Sequence, residues 1–172
     1  MTVTDTHKGA QVRHYILPVF TFQHRKGGPA QLFLLLNGKA GMPPKLRDYE
    51  GRVALFGGGE EPGEDYLSCI HRELREELPA LRSVAPEAQA DWTNAPAICD
   101  DVYAYTIMPV YCGEWSQATY RKLAGSCREG YVLPVDIETL DKLTFCTARM
   151  REHVLAATVR IVRQVPALKG WA

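Results

Sequence analysis

Between Gly57 and Glu77 the chain reads Gly-Gly-Gly-Glu-Glu-Pro-Gly-Glu-Asp-Tyr-Leu-Ser-Cys-Ile-His-Arg-Glu-Leu-Arg-Glu-Glu. A glycine-rich turn runs into a segment that ends with three carboxylates, Glu73, Glu76 and Glu77. On an ideal helix Leu67, Ile70, Leu74 and Leu78 share one apolar stripe. The three glutamates share the flank beside it, because residues three and four apart are helix neighbours. Two unit charges about 4 Å apart near a protein surface repel by roughly 4 kcal/mol, so carboxylates placed this way require a cation. Oxygen-only ligands point to a hard ion, Mg²⁺ with Mn²⁺ as its substitute. A solvated acidic helix face is the plain alternative for such a charge run. The coincidence of glycines, spacing and carboxylates argues against it. A phosphate-gripping P-loop is excluded, since no Gly-Lys-Ser or Gly-Lys-Thr follows the glycines.

The same residues resemble the Nudix box, G-x5-E-x7-R-E-U-x-E-E-x-G-U, where U is a bulky apolar residue. Gly58, Glu64, Arg72, Glu73, Leu74, Glu76 and Glu77 match it in type and spacing. Pro79 stands where the family has glycine, and Ala80 is small for the last apolar position. Proline also ends a helix, by disfavouring helical geometry at the residue before it, so the helix still stops near Leu78 while the turn after it must differ. The resemblance implies an α/β fold, a Nudix-like α/β/α sandwich with a mixed β-sheet. The matched box spans Gly58–Ala80, and the expected layout is one such domain at residues 11–172 behind a flexible tail at residues 1–10.

The resemblance also implies a Mg²⁺-dependent hydrolase that cleaves a phosphoanhydride bond in a nucleoside diphosphate linked to another moiety. The class includes a nucleotide sugar, an ADP-ribose type compound or a modified nucleoside triphosphate. Glu73, Glu76 and Glu77, with a backbone carbonyl near Gly57 or Gly58, are then the metal ligands. Divalent ions there would screen the diphosphate charge, orient it and acidify a bound water. Glycine suits the carbonyl role because nothing blocks close approach of its backbone. Arg72 is implied to brace the acidic cluster. The base that activates water has three candidates: Glu129, which forms a Glu-Gly pair before a strand as in some family members, Glu114, and Glu73 itself. The competing reading is a nucleotide-sensing module that keeps the fold without catalysis, although this chain retains every acidic residue of the box.

The elements that must position these residues are legible in outline. Strands are expected at Val12–Phe22, Gln31–Leu36, Arg52–Phe56, Val102–Cys112 and Gly130–Val135. Helices are expected at Glu64–Leu78, briefly at Ile137–Leu143, and at Thr147–Val165, with Met150, Val154, Ala157, Val159, Ile161 and Val165 inward. Residues 83–100 show no clear period. Strands flanking a helix and closing on a terminal helix imply a mixed sheet covered on both faces. Tyr103, Tyr105, Trp115 and Tyr131 could stack a base, though such residues are more often core. Asn37, Lys39, Lys45 and Arg47 are near the turn in sequence and could reach a phosphate.

The whole chain of 172 residues narrows the partner. Lys plus Arg and Asp plus Glu number 20 each, so no global field attracts nucleic acid or an acidic membrane. Five cysteines form no Cys-x-x-Cys pair, which fits a reducing compartment and no zinc site. No stretch approaches the roughly 18 apolar residues of a membrane span, and the N-terminus is polar, so the expected location is the cytoplasm. A small nucleotide is the expected partner, and a homodimer stays open.

Overall fold

Ten residues, Arg13–Phe22, form strand β1, and their burial sets the plan of the molecule. Tyr15, Leu17 and Val19 are buried on one side, and Ile16, Phe20 and Phe22 on the other. A strand apolar on both faces belongs in the middle of a sheet covered twice. The computed structural model describes residues 12–23, 31–36, 51–80, 97–99, 104–128, 131–145, 150–165 and 168. After β1 come β2 (Gln31–Leu36), β3 (Val53–Ala54), β4 (Phe56–Gly59), α1 (Tyr66–Glu77), β5 (Ala97–Cys99) and β6 (Ala104–Trp115). Then follow α2 (Gln117–Ser126), β7 (Tyr131–Asp136), a 3-10 turn (Ile137–Lys142) and α3 (Met150–Gln164).

The strands make one mixed sheet. Among the described strands β1 runs parallel to β6 and the other strand pairs are antiparallel, with one further parallel bridge between Val53 and Phe145. On one face the buried side chains of α3, among them Met150, Val154, Ala157, Ile161 and Val162, pack on Tyr15, Leu17, Val19, Leu32 and Ile107. On the other, Ile70 and Leu74 of α1 and Leu123 of α2 pack on Ile16, Phe20, Phe56, Met108 and Val110. The architecture is therefore the α/β/α sandwich that the sequence implied.

One edge of β1 is divided. Residues 13–16 pair with β4, while Val19 and Phe20 pair with β2. The segment Val53–Gly59 spans this fork, pairing with β2 through Val53 and Ala54 and then with β1 through Phe56–Gly59. Pro18, which has no N–H to give, falls in the gap between the two pairings. The fork carries the three glycines across β1 and under α1.

Several boundaries differ from expectation. α1 begins at Tyr66 rather than Glu64, because Asp65 caps it: the Ser68 N–H donates to Asp65 Oδ1 at 2.8 Å. Leu67 does not join the apolar stripe and is 40% exposed, since Tyr66 takes the sheet-facing position in that first turn against His14. β6 continues to Trp115 through a bulge, where the register shifts and Gly113 adopts φ +83°. α2 was not expected. It buries only Leu123, so it has almost no apolar period, though Ser116 caps it by accepting from the Thr119 N–H at 3.1 Å. In α3 the inward position belongs to Thr158 rather than Val159. Its hydroxyl donates to the Val154 carbonyl at 2.7 Å, which satisfies it in the core. The expected tail at residues 1–10 lies outside the described residues. Among these residues, no helix is long and apolar enough to cross a membrane.

Phe20 stacks on Trp115 with ring centroids 4.1 Å apart, at the centre of the α1 side of the core. Phe20→Ala should lower unfolding free energy by about 3–5 kcal/mol, whereas exposed Leu67→Ala should stay within about 0.5 kcal/mol. Urea titrations of both variants check this, and equal midpoints would contradict the assigned core.

Candidate active site

The pairing of β4 with β1 places Gly57, Gly58 and Glu60 beside α1, and the glycines allow the approach. Gly57 has φ +138°, and a Cβ there would lie 2.0 Å from the His14 carbonyl oxygen, inside the β1 backbone. Gly58 faces α1, and a Cβ there would lie 2.3 Å from Glu73 Oε1. The carboxylate of Glu73 thus occupies the room that a side chain at position 58 would take. Two further contacts dock the helix on the glycines. The Gly57 N–H donates to Glu77 Oε2 at 2.8 Å, and the Cys69 thiol lies 3.6 Å from the Gly58 carbonyl that accepts from it. Burial pushes the Cys69 thiol up to about 12, so it stays a protonated donor at neutral pH.

Arg72 holds the site together. Its Nε and Nη2 donate to the two oxygens of Glu64 at 2.9 and 3.0 Å, a bidentate pair. Its Nη1 donates to Glu73 Oε1 at 2.7 Å, and Nη2 also reaches the Gly59 carbonyl at 2.9 Å. Glu61 and Glu76 stand farther off, each 3.7 Å from the guanidinium. These bonds, and then the Glu61 backbone N–H, hold the Glu64 carboxyl at about 2 instead of 4.5. Arg72 is correspondingly pushed above its ordinary value, first by Glu64.

The structure brings Gly57, Gly58, Glu64, Arg72, Glu73 and Glu77 together along one flank of α1. Glu76 stands at the rim, with its side chain 60% exposed. Among the described residues, no three His, Cys, Asp or Glu side chains converge closely enough to hold an ion as they stand. The donors nevertheless fit a hard divalent ion in kind, being carboxylates beside a glycine cradle that a Cβ would fill.

Other candidates are sorted by register and burial. Glu114 pairs with Thr21, six residues along β1 from the Tyr15 that pairs with Gly57. At about 3.3 Å per residue this is roughly 20 Å from the glycines, which argues against Glu114 as the base. Glu129, Tyr103, Asn37, Lys39, Lys45 and Arg47 lie outside the described residues. Arg128, just before Glu129, donates its backbone N–H to the Glu77 carbonyl at 3.0 Å. Tyr105 is buried in the α3 core and hydrogen-bonded to His153 Nδ1, and Trp115 is buried against Phe20, so neither can stack a base. Tyr131 is 60% exposed and remains available. Buried His14 and Thr106, linked to half-buried Glu60 beside Gly58, were missed from sequence because they are distant along the chain.

No protein-family model matches the sequence, and no curated protein matches it. Solved structures do match its three-dimensional form. A MutT/Nudix family protein from Listeria innocua superposes with TM-score 0.63 over 92% of this chain and all of its own, at 14% identity. An Ap4A hydrolase from C. elegans gives 0.57 over 89% of this chain and 99% of its own, at 13% identity. The Nudix domain of Shewanella oneidensis NrtR, solved with ADP ribose, gives 0.54 over 92% and 91%, at 11% identity. The chain has the Nudix hydrolase fold. Within that fold, the segment Gly58–Glu77 that resembles the Nudix box runs from the end of β4 through the turn and along the whole of α1.

Because folding depresses the Glu64 pKa, its stabilising effect is present above about pH 4.5 and is lost as pH falls through about 2. Glu64→Gln should therefore melt below wild type at neutral pH and show a flatter loss of melting temperature between those pH values. Circular dichroism melts across the range check this, and parallel slopes would remove Glu64 from the acid-sensitive network.

Proposed function

We propose that the protein is a Mg²⁺-dependent hydrolase of a phosphoanhydride bond in a nucleoside diphosphate linked to another moiety. The observation that carries this reading is the docking of carboxylates of α1 onto the Gly57–Gly59 backbone, braced by Arg72. The guanidinium makes four hydrogen bonds to Glu64, Glu73 and Gly59, and its side chain is 17% exposed. It is therefore committed to the protein and suited to bracing rather than to gripping phosphate.

Glu73, Glu76 and Glu77, with a carbonyl of Gly57 or Gly58, would hold the ion. Bound there, Mg²⁺ or Mn²⁺ supplies neutralisation of the diphosphate charge and acidification of water. The chain's own residues do the rest. The Gly57 N–H fixes one oxygen of Glu77, Arg72 fixes one oxygen of Glu73, and the absence of a side chain at Gly58 keeps the approach to the backbone open. Glu129 is our candidate to take a proton from the attacking water, since its neighbour Arg128 is tied to the end of α1. Glu73 is the alternative. The moiety beyond the diphosphate is proposed as a sugar, an ADP-ribose type group or the remainder of a modified nucleoside triphosphate.

A panel of nucleotide sugars, ADP-ribose, dinucleoside polyphosphates and nucleoside triphosphates, assayed with and without Mg²⁺, tests the reading. Hydrolysis that requires the ion supports it, and no hydrolysis of any compound rejects it. Glu76→Gln and Glu77→Gln should each lose more than about tenfold in rate, about 1.4 kcal/mol of barrier, because an amide is a poor ligand for a hard ion. A glutamine amide oxygen at position 77 can still accept from the Gly57 N–H, so the fold should survive. Glu129→Gln should lower kcat by about 10²- to 10⁴-fold with Mg²⁺ affinity kept, and activity near wild type would pass the role to Glu73.

A further inference from the structure

His14 lies in sheet register between Gly58 on one side and Thr106 on the other. It is 4% exposed, yet both ring nitrogens are engaged. Nδ1 is hydrogen-bonded with Thr106 Oγ1 at 2.9 Å, and Nε2 with Glu60 Oε1. The ring also meets Tyr66 edge-on, centroids 4.7 Å apart. Glu60 is the first residue after β4, and Tyr66 is the first of α1. One imidazole therefore touches both ends of the turn that joins strand to helix. That turn carries Glu61 and Glu64, the carboxylates that face Arg72 from outside the helix. The residue just before β1 ties the same turn a second time, where the Glu60 N–H donates to the Val12 carbonyl at 3.1 Å. A leucine would fill such a space with no polar atoms to satisfy, so a buried histidine with partners on three segments has a use beyond filling.

We propose that His14 is a positioning residue for the proposed active site: through Glu60 and Tyr66 it sets the turn that delivers Glu64 to Arg72 and aligns the glycine backbone with Glu73 and Glu77. This rests on the hydrolase reading. His14 itself touches neither substrate nor ion, and its effect passes through the groups that do. Loss of such outer partners commonly weakens a metal site by about 10- to 100-fold.

Two measurements separate this role from packing. Amide hydrogen exchange reads the turn without any activity, and water-proton relaxation reads Mn²⁺ binding. The variants are His14→Gln, His14→Asn and Glu60→Gln. A glutamine amide reaches about as far as Nε2 and can keep Glu60, whereas an asparagine amide ends near Nδ1 and keeps only Thr106. We expect His14→Asn and Glu60→Gln to speed exchange at residues 57–66 and to weaken Mn²⁺ binding about 10- to 100-fold. Exchange at Ile107–Val110 should not change, and His14→Gln, which keeps Glu60 but loses the ring contact with Tyr66, should show clearly smaller effects than His14→Asn. Equal damage from Gln and Asn, faster exchange in β6 as well, or unchanged Mn²⁺ affinity would each overturn the proposal. If wild type binds no Mn²⁺ and cleaves nothing on the panel, the hydrolase reading falls, and the exchange comparison alone decides whether His14 holds the turn.

Discussion

The guanidinium of Arg72 is the group on which the rest of the site depends. One positive charge stands among Glu64, Glu73 and Glu76, with Glu77 close by on Gly57. With Glu61 also 3.7 Å away, five carboxylates against one cation leave four negative charges along one turn and the helix that follows it. At separations near 4 Å each unrelieved pair costs roughly 4 kcal/mol at a protein surface. Arg72 answers part of this by binding Glu64 with both arms and Glu73 with a third N–H, which draws the turn and the helix into one body. The remaining charge is what a divalent ion would neutralise, so the same electrostatic imbalance both orders the site and defines its proposed ligand.

That imbalance is tolerable because the backbone around it is unusually close. The forked edge of β1 lets Val53–Gly59 cross from β2 to β1, so the glycines arrive beneath α1 rather than at the rim of the sheet. A side chain at Gly57 would enter the β1 backbone, and one at Gly58 would displace Glu73. The chain thus trades side chains for access to N–H and carbonyl groups. Glu77 and Cys69 use those groups at once, through the Gly57 N–H and the Gly58 carbonyl. The two cores differ in their part in this. The α1 side carries the site directly, while the α3 side closes the opposite face of the sheet and buries Tyr105 there.

Most of the sheet was legible in sequence, for a physical reason. β1, β2 and β6 are apolar runs bounded by turn residues or charge, and such runs declare themselves whatever they pair with. What could not be read was anything with weak amphipathicity or with partners supplied from far away. α2 has one buried residue and β5 three residues, so neither leaves a period to detect. Thr158 looks polar until its hydroxyl is seen returning to Val154, and Leu67 looks apolar until Tyr66 takes its place over the sheet.

By itself the sequence determined the glycine turn, the acidic flank of the helix and the spacing of Glu64, Arg72, Glu73, Glu76 and Glu77, because helical geometry makes neighbours of residues three and four apart. It could name the ion that such oxygens prefer, since that follows from residue type. The tertiary structure decided what lies opposite. Strand pairing put His14 between Gly58 and Thr106, sent Glu114 roughly 20 Å along the sheet at about 3.3 Å per residue, and buried Tyr105 and Trp115 in the core. These are contacts between segments separated by tens of residues, fixed by register and packing, and no local pattern in the chain encodes them.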